Sequence, residues 1–164
     1  MDRGRFIQYV ESNQRELRRF LTALCCGDSA LADDLAQETL VKAYLACDSF
    51  REECRFTSWI YRIACNTFIS NRRSRTLSEP LSEAACMASG ERADSTLDYD
   101  HLYKALDLLS AKERTAILLH YMQGYSVAEI AGITGSSDEA VKQQLSRGRQ
   151  HLKGFLNEQP YGGR

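Results

Sequence analysis

The sequence predicts an all-helical protein made of two small domains. Apolar residues recur at helical spacing along most of the chain, and no segment shows the alternating pattern of a β-strand. The chain has only two prolines, Pro80 and Pro160. Pro80 lies in a segment of Ser, Gly and acidic residues that lacks an apolar period, as flexible linkers do. We therefore expect helical domains at 1–75 and 97–158, a linker at 76–96 and a C-terminal tail at 159–164.

Three helices are predicted in the first domain. The first covers about 5–26 and ends at Gly27, because glycine readily adopts the left-handed conformation that closes a helix. The second covers about 29–47. Its early turns carry two adjacent aspartates, which suit the positive end of a helix dipole. The third covers about 57–73 and has two chemically different faces.

One face of this third helix is apolar and can bury the helix; it consists of Ile60, Ile63, Ala64, Thr67 and Phe68. A second face mixes an aromatic ring with polar and basic side chains: Trp59, Arg62, Asn66 and Arg73. A flat ring can stack on an unpaired base, and an Asn can pair with its exposed edge. Arginines attract the phosphate backbone. The alternative is that Trp59 packs on the preceding loop, 47–56, and that the arginines are solvated.

The second domain is predicted to hold four helices, at about 97–109, 111–122, 126–133 and 137–156. The last two form a helix-turn-helix. Two S-x-x-E sequences, at 126–129 and 136–139, are typical of capping boxes that start helices. Gly135 lies between them, where a tight turn needs an unhindered backbone.

The last helix is predicted to bury Val141, Leu145 and Leu152 and to turn a basic face outward. Short and hydrogen-bonding side chains on that face suit the major groove of DNA. Glu139 can accept from a cytosine, Arg147 can reach a guanine or a phosphate, and Arg149 and Lys153 suit phosphates. The alternative is a solvated helix of an αα-hairpin. The candidate DNA-binding residues are Ser137, Glu139, Ala140, Lys142, Gln143, Ser146, Arg147, Arg149 and Lys153.

The formal net charge of −1 hides a strong local asymmetry. Residues 51–75 contain six Arg and two Glu, and residues 140–154 contain four basic residues and no acid. Acidic residues concentrate at 28–38 and 79–107. Because binding depends on local potential, this pattern favours more than one partner, nucleic acid among them.

Composition argues against a membrane protein, a metalloprotein and an enzyme. No run approaches the ~20 apolar residues of a membrane span, and the N-terminus lacks a signal peptide, so we expect a cytoplasmic protein. The six cysteines form no C-x-x-C pair, which favours reduced thiols without a metal or other cofactor, although adjacent Cys25 and Cys26 leave a redox or metal-sensing role open. No phosphate loop or nucleophile–base pair occurs, and His101, His120 and His151 are isolated.

Two segments together resemble the extracytoplasmic-function (ECF) sigma factors of the bacterial sigma-70 family. The stretch "DDLAQETLVKAYLACDSFREECRFTSWIYRIACNTFISNRRSR" (33–75) resembles region 2. The stretch "LLSAKERTAILLHYMQGYSVAEIAGITGSSDEAVKQQLSRGRQHLK" (108–153) resembles region 4. Their order and the linker between them also match the family. Two departures are Ser136, where the family usually has an aliphatic residue, and Gly148, where it has Ala; Gly loosens a helix by ~1 kcal/mol.

The resemblance implies that the protein binds core RNA polymerase and promoter DNA, while the polymerase performs the chemistry. Region 2 would bind the clamp helices of the largest subunit through Asp34, Gln37, Glu38 and Val41. Region 4 would read the −35 element and contact the polymerase flap. An anti-sigma factor, often membrane-anchored, would hold the protein inactive at the inner membrane without membrane insertion of its own. The implied contacts to the melted −10 element are Phe56, Thr57, Trp59, Arg62, Asn66, Arg72 and Arg73.

Two other functions compete with this one. A dimeric helix-turn-helix regulator of duplex DNA would explain 97–158 but would leave the Trp59 face without a role. A signalling adaptor would explain the acidic helices but not the basic one.

Overall fold

The computed structural model describes residues 1–78 and 97–158. These residues form seven α-helices and one short 3₁₀ turn, with no strand among them, so the predicted all-helical class is confirmed. The chain divides into two compact units, here called the N-terminal unit (1–78) and the C-terminal unit (97–158). The predicted tail and most of the predicted linker lie outside the described residues.

The N-terminal unit contains three helices, each packed against the other two. Their bounds are α1 (Arg3–Leu24), α2 (Ser29–Leu45) and α3 (Phe56–Ser78), with a 3₁₀ turn at Cys47–Ser49. Helix α3 thus runs three residues beyond the predicted domain end at 75. The centre of the unit is fully buried and mostly apolar; it includes Phe20, Leu21, Leu24, Leu35, Ala43 and Phe68.

Helix α1 ends two residues earlier than predicted. Cys25 is its C-terminal cap, and the chain then turns through Cys26 and Gly27, whose φ angles are 53° and 90°. The amide of Gly27 donates to the carbonyl of Thr22 (2.9 Å). The left-handed turn that glycine was expected to make therefore spans two residues and places Asp28 to cap α2, where its carboxylate accepts from the amide of Leu31 (3.1 Å).

The C-terminal unit packs α4 (Leu97–Asp107), α5 (Ala111–Tyr121) and α6 (Val127–Thr134) against α7 (Asp138–Glu158). Capping boxes start α5 at Ser110 and α6 at Ser126, and Gly135 ends α6 with a φ of 69°. The predictions for Ser126 and Gly135 are confirmed. The capping box at 110–113, "SAKE", follows the same S-x-x-E pattern but was not predicted.

The predicted capping box at 136–139 is wrong by one residue. The hydroxyl of Ser137 accepts from the amide of Ala140 (3.1 Å), which makes Ser137 the residue that caps α7. Ser136 instead donates its backbone amide to the carbonyl of Ala131 at the end of α6 (3.0 Å). That bond occupies the amide that a capping box at 136–139 would offer to the carboxylate of Glu139, and the cap of α7 lies one position further along the chain.

A buried arginine joins α5 to the end of α4. The side chain of Arg114 is fully buried, and its guanidinium donates to the carbonyls of Leu106 (2.8 Å) and Leu109 (3.2 Å). It also lies 3.8 Å from a carboxylate oxygen of Asp107. A cation at a helix C-terminus satisfies free carbonyls and the negative end of the dipole. Arg114 therefore fixes the α4–α5 turn.

Candidate nucleic-acid interface

The outward face of α3 carries the predicted combination of an aromatic ring, an arginine and an asparagine. Ile60, Ala64 and Phe68 are buried, as the apolar stripe predicted. Arg62 and Asn66 are exposed, and Trp59 is half-buried. A bound strand can therefore reach all three polar-face side chains without any change in the packing of the helix.

Trp59 rests on two other aromatic rings. Its ring centroid lies 5.1 Å from that of Phe50, in the loop before α3, and 5.8 Å from that of Phe56, one turn earlier on the helix. Both ring pairs are tilted, at 57° and 52°. The alternative in which Trp59 packs on the preceding loop is therefore correct as far as packing goes. It does not exclude a DNA contact, because part of the indole stays exposed.

Phe56 lies beneath this surface rather than on it. Only 6% of the residue is exposed. Its ring stacks on Tyr9 of α1 at 4.8 Å and meets Phe6 edge-to-face at 6.0 Å. The predicted direct contact between Phe56 and DNA is not available in this conformation. Burial of so large a ring makes Phe56 the support on which Trp59 lies.

The remaining predicted −10 residues differ in exposure. Thr57 is half-buried at the first turn of α3, and Arg73 is exposed in its last third. Arg72 is half-buried, with its guanidinium 5.8 Å from the ring centroid of Phe68. The stem of Arg72 therefore covers the core while its charge stays near the surface.

An ion pair ties the loop before α3 to α1. Arg5 donates to the carboxylate of Glu52 at 2.9 Å, and both side chains are mostly exposed. The nearby Glu52 carboxylate raises the pKa of Arg5. Exposed ion pairs contribute little to the free energy of unfolding. The role of this pair is therefore to link the loop to α1.

The outward face of α7 matches the face predicted from the sequence. Val141 and Leu145 are buried, and the exposed side chains at the surface are Ser137, Glu139, Lys142, Gln143, Ser146, Arg147, Arg149 and Lys153. Ala140 is half-buried. Arg149 differs from the rest because its Nε donates to the hydroxyl of Tyr121 at 2.6 Å, with the guanidinium 5.7 Å from that ring. Its position is thus set by α5.

Two residues of α7, Gly148 and His151, lie close to α5. Gly148 is buried, and a Cβ on it would lie 2.8 Å from Cγ1 of Ile117. The absence of a side chain therefore permits close contact between α5 and α7. The sequence predicted only that Gly148 would lower helix propensity, and it did not predict this contact. Nearby, Nδ1 of His151 lies 3.1 Å from the carboxylate of Glu113, the capping residue of α5.

Two of the histidines, which were predicted to belong to no catalytic or metal-binding group, make polar contacts that the sequence did not reveal. His151 pairs with Glu113, as described. His120 donates from Nδ1 to the carbonyl of Tyr125 at 2.8 Å, which closes the turn between α5 and α6. Both contacts depend on side chains that approach across a turn or between helices, so the spacing of histidines in the sequence could not reveal them.

A separate exposed stripe runs along α2. Asp34, Gln37 and Glu38 are exposed, and Val41 is 57% exposed. Leu45, four residues further on, is 77% exposed and was not among the predicted contact residues. Its position could have been inferred, because residues four apart share a helix face. The stripe thus combines carboxylates at one end with two bare aliphatic side chains at the other.

Most described cysteines are part of the core. Cys25, Cys26, Cys47 and Cys65 are buried free thiols, and Cys54 is exposed. Burial raises the pKa of Cys65 to about 12. Within residues 1–78 and 97–158, no group of His, Cys, Asp and Glu could hold a metal ion. No helix in the same residues is long and apolar enough to cross a membrane.

Both units match family models. Residues 9–77 match the model for sigma-70 region 2, and residues 99–152 match the model for sigma-70, region 4. The regions matched contain nearly all of α3 and most of α7. The fold and the two surfaces therefore define a sigma factor of the sigma-70 type.

Relatives narrow this class further. The chain is 31% identical over 161 residues to the ECF RNA polymerase sigma factor SigM of Mycobacterium tuberculosis, a match that covers 95% of this chain and 81% of SigM. The sigma factor RpoE in its complex with the anti-sigma factor NepR from Bartonella quintana has a TM-score of 0.77 and 30% identity, over 93% of this chain and 96% of RpoE. CnrH, in complex with the cytosolic domain of CnrY, has a TM-score of 0.71 and 25% identity, over 96% and 90% of the two chains. The chain belongs to the ECF sigma factors, which are transcription initiation factors and not enzymes.

Proposed function

We propose that this protein binds core RNA polymerase and directs it to promoters by capturing melted −10 DNA on α3 and reading the −35 element with α7. The observation that carries the proposal is the outward face of α3. A half-buried Trp59 supported by two rings lies beside exposed Arg62 and Asn66 on a helix that its other face already buries.

Melting is costly because each unpaired base loses its stacking partners. Trp59 offers an aromatic surface that can replace one such partner, an interaction worth ~1–3 kcal/mol per base. Asn66 offers both a donor and an acceptor to a base edge, and Arg62 and Arg73 attract the phosphates. Thr57 and Arg72 border this surface. Together these groups offset the unstacking cost of a few kcal/mol.

The −35 element is assigned to α7 because its exposed side chains project from a well-packed helix. Lys142, Gln143, Ser146 and Arg147 are exposed on the side opposite Val141 and Leu145, which gives them access to a major groove. Arg149, whose Nε donates to the hydroxyl of Tyr121, and exposed Lys153 are the proposed phosphate contacts. Glu139, in the first turn, can accept from a cytosine amino group.

The stripe on α2 is the proposed contact with the clamp helices of the largest polymerase subunit. Its aliphatic end, Val41 and Leu45, supplies apolar area, and its acidic end can pair with basic groups on the partner. The polymerase flap is the proposed partner of the C-terminal unit. We further propose control by an anti-sigma factor that covers these surfaces in the cytoplasm or, when it is membrane-anchored, at the inner membrane.

Run-off transcription with purified core polymerase on a library of randomised promoters tests the proposal. Trp59→Ala should reduce specific initiation by about 5- to 150-fold, the loss of one stacked base. Arg62→Ala should reduce it through lost phosphate attraction. Arg19→Ala, an exposed arginine on α1, is the matched control and should leave initiation unchanged.

The same library separates the two DNA surfaces. Arg147→Ala should change the selected −35 sequences and leave the −10 sequences as they are. For polymerase binding, Leu45→Asp should weaken affinity on the order of tenfold, whereas Leu77→Asp, a similarly exposed leucine on α3, should not. Binding of duplex DNA without any binding to core polymerase would overturn the proposal and favour the dimeric regulator.

A further inference from the structure

Three aromatic rings in the N-terminal unit contact one another in a triangle. Phe50, Phe56 and Trp59 have centroid separations of 5.1 Å for Phe50–Trp59, 5.8 Å for Phe56–Trp59 and 6.2 Å for Phe50–Phe56. All three pairs are tilted or edge-to-face, which are favourable geometries for aromatic rings. We call these three residues the ring triangle.

Its members differ in burial and therefore in what they can do. Phe56 is 6% exposed and contacts rings of α1 as well, so it belongs to the core. Phe50 and Trp59 are half-buried and lie at the surface. Phe50 therefore limits where the indole can move on the outer side, while Phe56 supports it from below.

Two contacts restrict the first half of the loop that carries Phe50. Its backbone amide donates to the carbonyl of Cys47 (3.2 Å), which closes the 3₁₀ turn after α2. Two residues later, Glu52 pairs with Arg5 of α1 at 2.9 Å. These two contacts restrict the backbone of the loop, and the contacts with Phe56 and Trp59 define where the ring of Phe50 lies against α3.

We propose that Phe50 is a positioning residue: it holds the indole of Trp59 in the orientation that receives an unpaired base of the melted promoter. This inference rests on the proposed function, in which Trp59 contacts melted DNA. An indole oriented before binding loses less side-chain entropy when the base stacks on it. Phe50 acts through Trp59 and needs no DNA contact of its own.

The single Trp of the chain makes the orientation measurable in the free protein. Excitation at the red edge of the spectrum selects Trp59 over the tyrosines. Phe50→Leu should lower the fluorescence anisotropy of Trp59 and increase its quenching by acrylamide, because the outer ring is gone. Phe50→Tyr keeps the ring and should leave both values as they are in the parent protein.

Open-complex formation by the assembled holoenzyme gives the functional measurement. Phe50→Leu should slow the isomerisation step by about three- to tenfold, the value of its aromatic pair with Trp59, while the affinity for closed promoter DNA stays the same. Phe50→Tyr should restore the rate. Phe20→Leu is the control for a purely structural effect, because Phe20 pairs with Tyr61 outside the ring triangle.

The outcomes separate this inference from the proposed function. Normal isomerisation in Phe50→Leu combined with slow isomerisation in Trp59→Ala would overturn the positioning role and leave the proposed function intact. Normal isomerisation in Trp59→Ala would overturn the proposed function itself. Equal losses in closed-complex affinity and isomerisation for Phe50→Leu and Phe20→Leu would show that Phe50 only stabilises the unit.

Discussion

The two units support their outward helices in different ways. In the N-terminal unit, α3 rests on aromatic rings from α1, from the preceding loop and from its own first turn. In the C-terminal unit, α7 rests on aliphatic side chains, a glycine and polar contacts at helix ends. In the proposed function, one surface presents a ring to a base and the other presents a helix to a groove.

The difference follows from the kind of group that each unit positions: an aromatic ring on α3 and a whole helix, α7. A large ring is best positioned by other rings, which restrict it through shape and through their quadrupoles. The start of a helix is fixed by groups that satisfy the free amides of its first turn, as the hydroxyl of Ser137 does for α7. The two units should therefore respond differently to loss of a ring and to loss of a polar contact.

The largest expected effect is from Phe56→Ala in the N-terminal unit. Removing this buried ring should destabilise the unit by about 3–5 kcal/mol, because it leaves a cavity under Trp59. Urea unfolding followed by Trp59 fluorescence measures the loss. Ile7→Ala, which truncates a half-exposed side chain on α1, is the control and should cost far less. Equal losses for the two variants would contradict the supporting role of Phe56.

Arg114→Met should have a similar effect on the C-terminal unit for a polar reason. It removes the donor of the buried Leu109 carbonyl and one of the two donors of the Leu106 carbonyl, which keeps the amide of Leu109, at a cost of about 2–4 kcal/mol. The loss should appear in unfolding followed by far-UV circular dichroism. Arg147→Met removes an exposed arginine from the same unit and should change stability by less than ~0.5 kcal/mol. If Arg114→Met changed the free energy of unfolding as little as Arg147→Met does, Arg114 would not hold the α4–α5 turn.

Gly148→Ala tests the close contact between α5 and α7. The added Cβ would lie 2.8 Å from Ile117, so overpacking of about 1–3 kcal/mol should outweigh the gain of ~1 kcal/mol in helix propensity. Gly154→Ala is the matched change in the same helix, with nothing within 4 Å of the added atom. Thermal unfolding should show a loss for Gly148→Ala and a gain for Gly154→Ala. Two gains would show that Ile117 moves aside freely.

The smallest expected effect distinguishes two adjacent serines. Ser137→Ala should cost ~1 kcal/mol because the first turn of α7 loses its cap. Ser136→Ala should cost less, since Ser136 uses its backbone amide and not its hydroxyl to close α6. Chemical denaturation of the two variants under the same conditions compares their free energies of unfolding. The opposite order would restore the cap at Ser136 that the sequence suggested.

The sequence by itself determined the helices, their buried faces and the family. Helical periodicity depends only on residues three and four apart, so the pattern alone assigns Ile60, Ala64 and Phe68 on α3 and Val141 and Leu145 on α7 to the core. The S-x-x-E at Ser126 and the turn at Gly135 are equally local. The predicted contacts with DNA and polymerase stay predictions, but most of those side chains lie on exposed surfaces where such contacts are possible.

Only the tertiary structure decided which residues support those surfaces. Tyr9 of α1 stacks on Phe56 of α3, and nothing in the local pattern of either helix predicts that contact. The choice of Ser137 over Ser136 depends on the hydrogen bond that ties the amide of Ser136 to Ala131 of α6. Gly148 and Arg114 likewise acquire their roles from a neighbouring helix. Periodicity indicates which face of a helix is buried. The residues of other helices that contact that face are determined by how the helices pack in three dimensions.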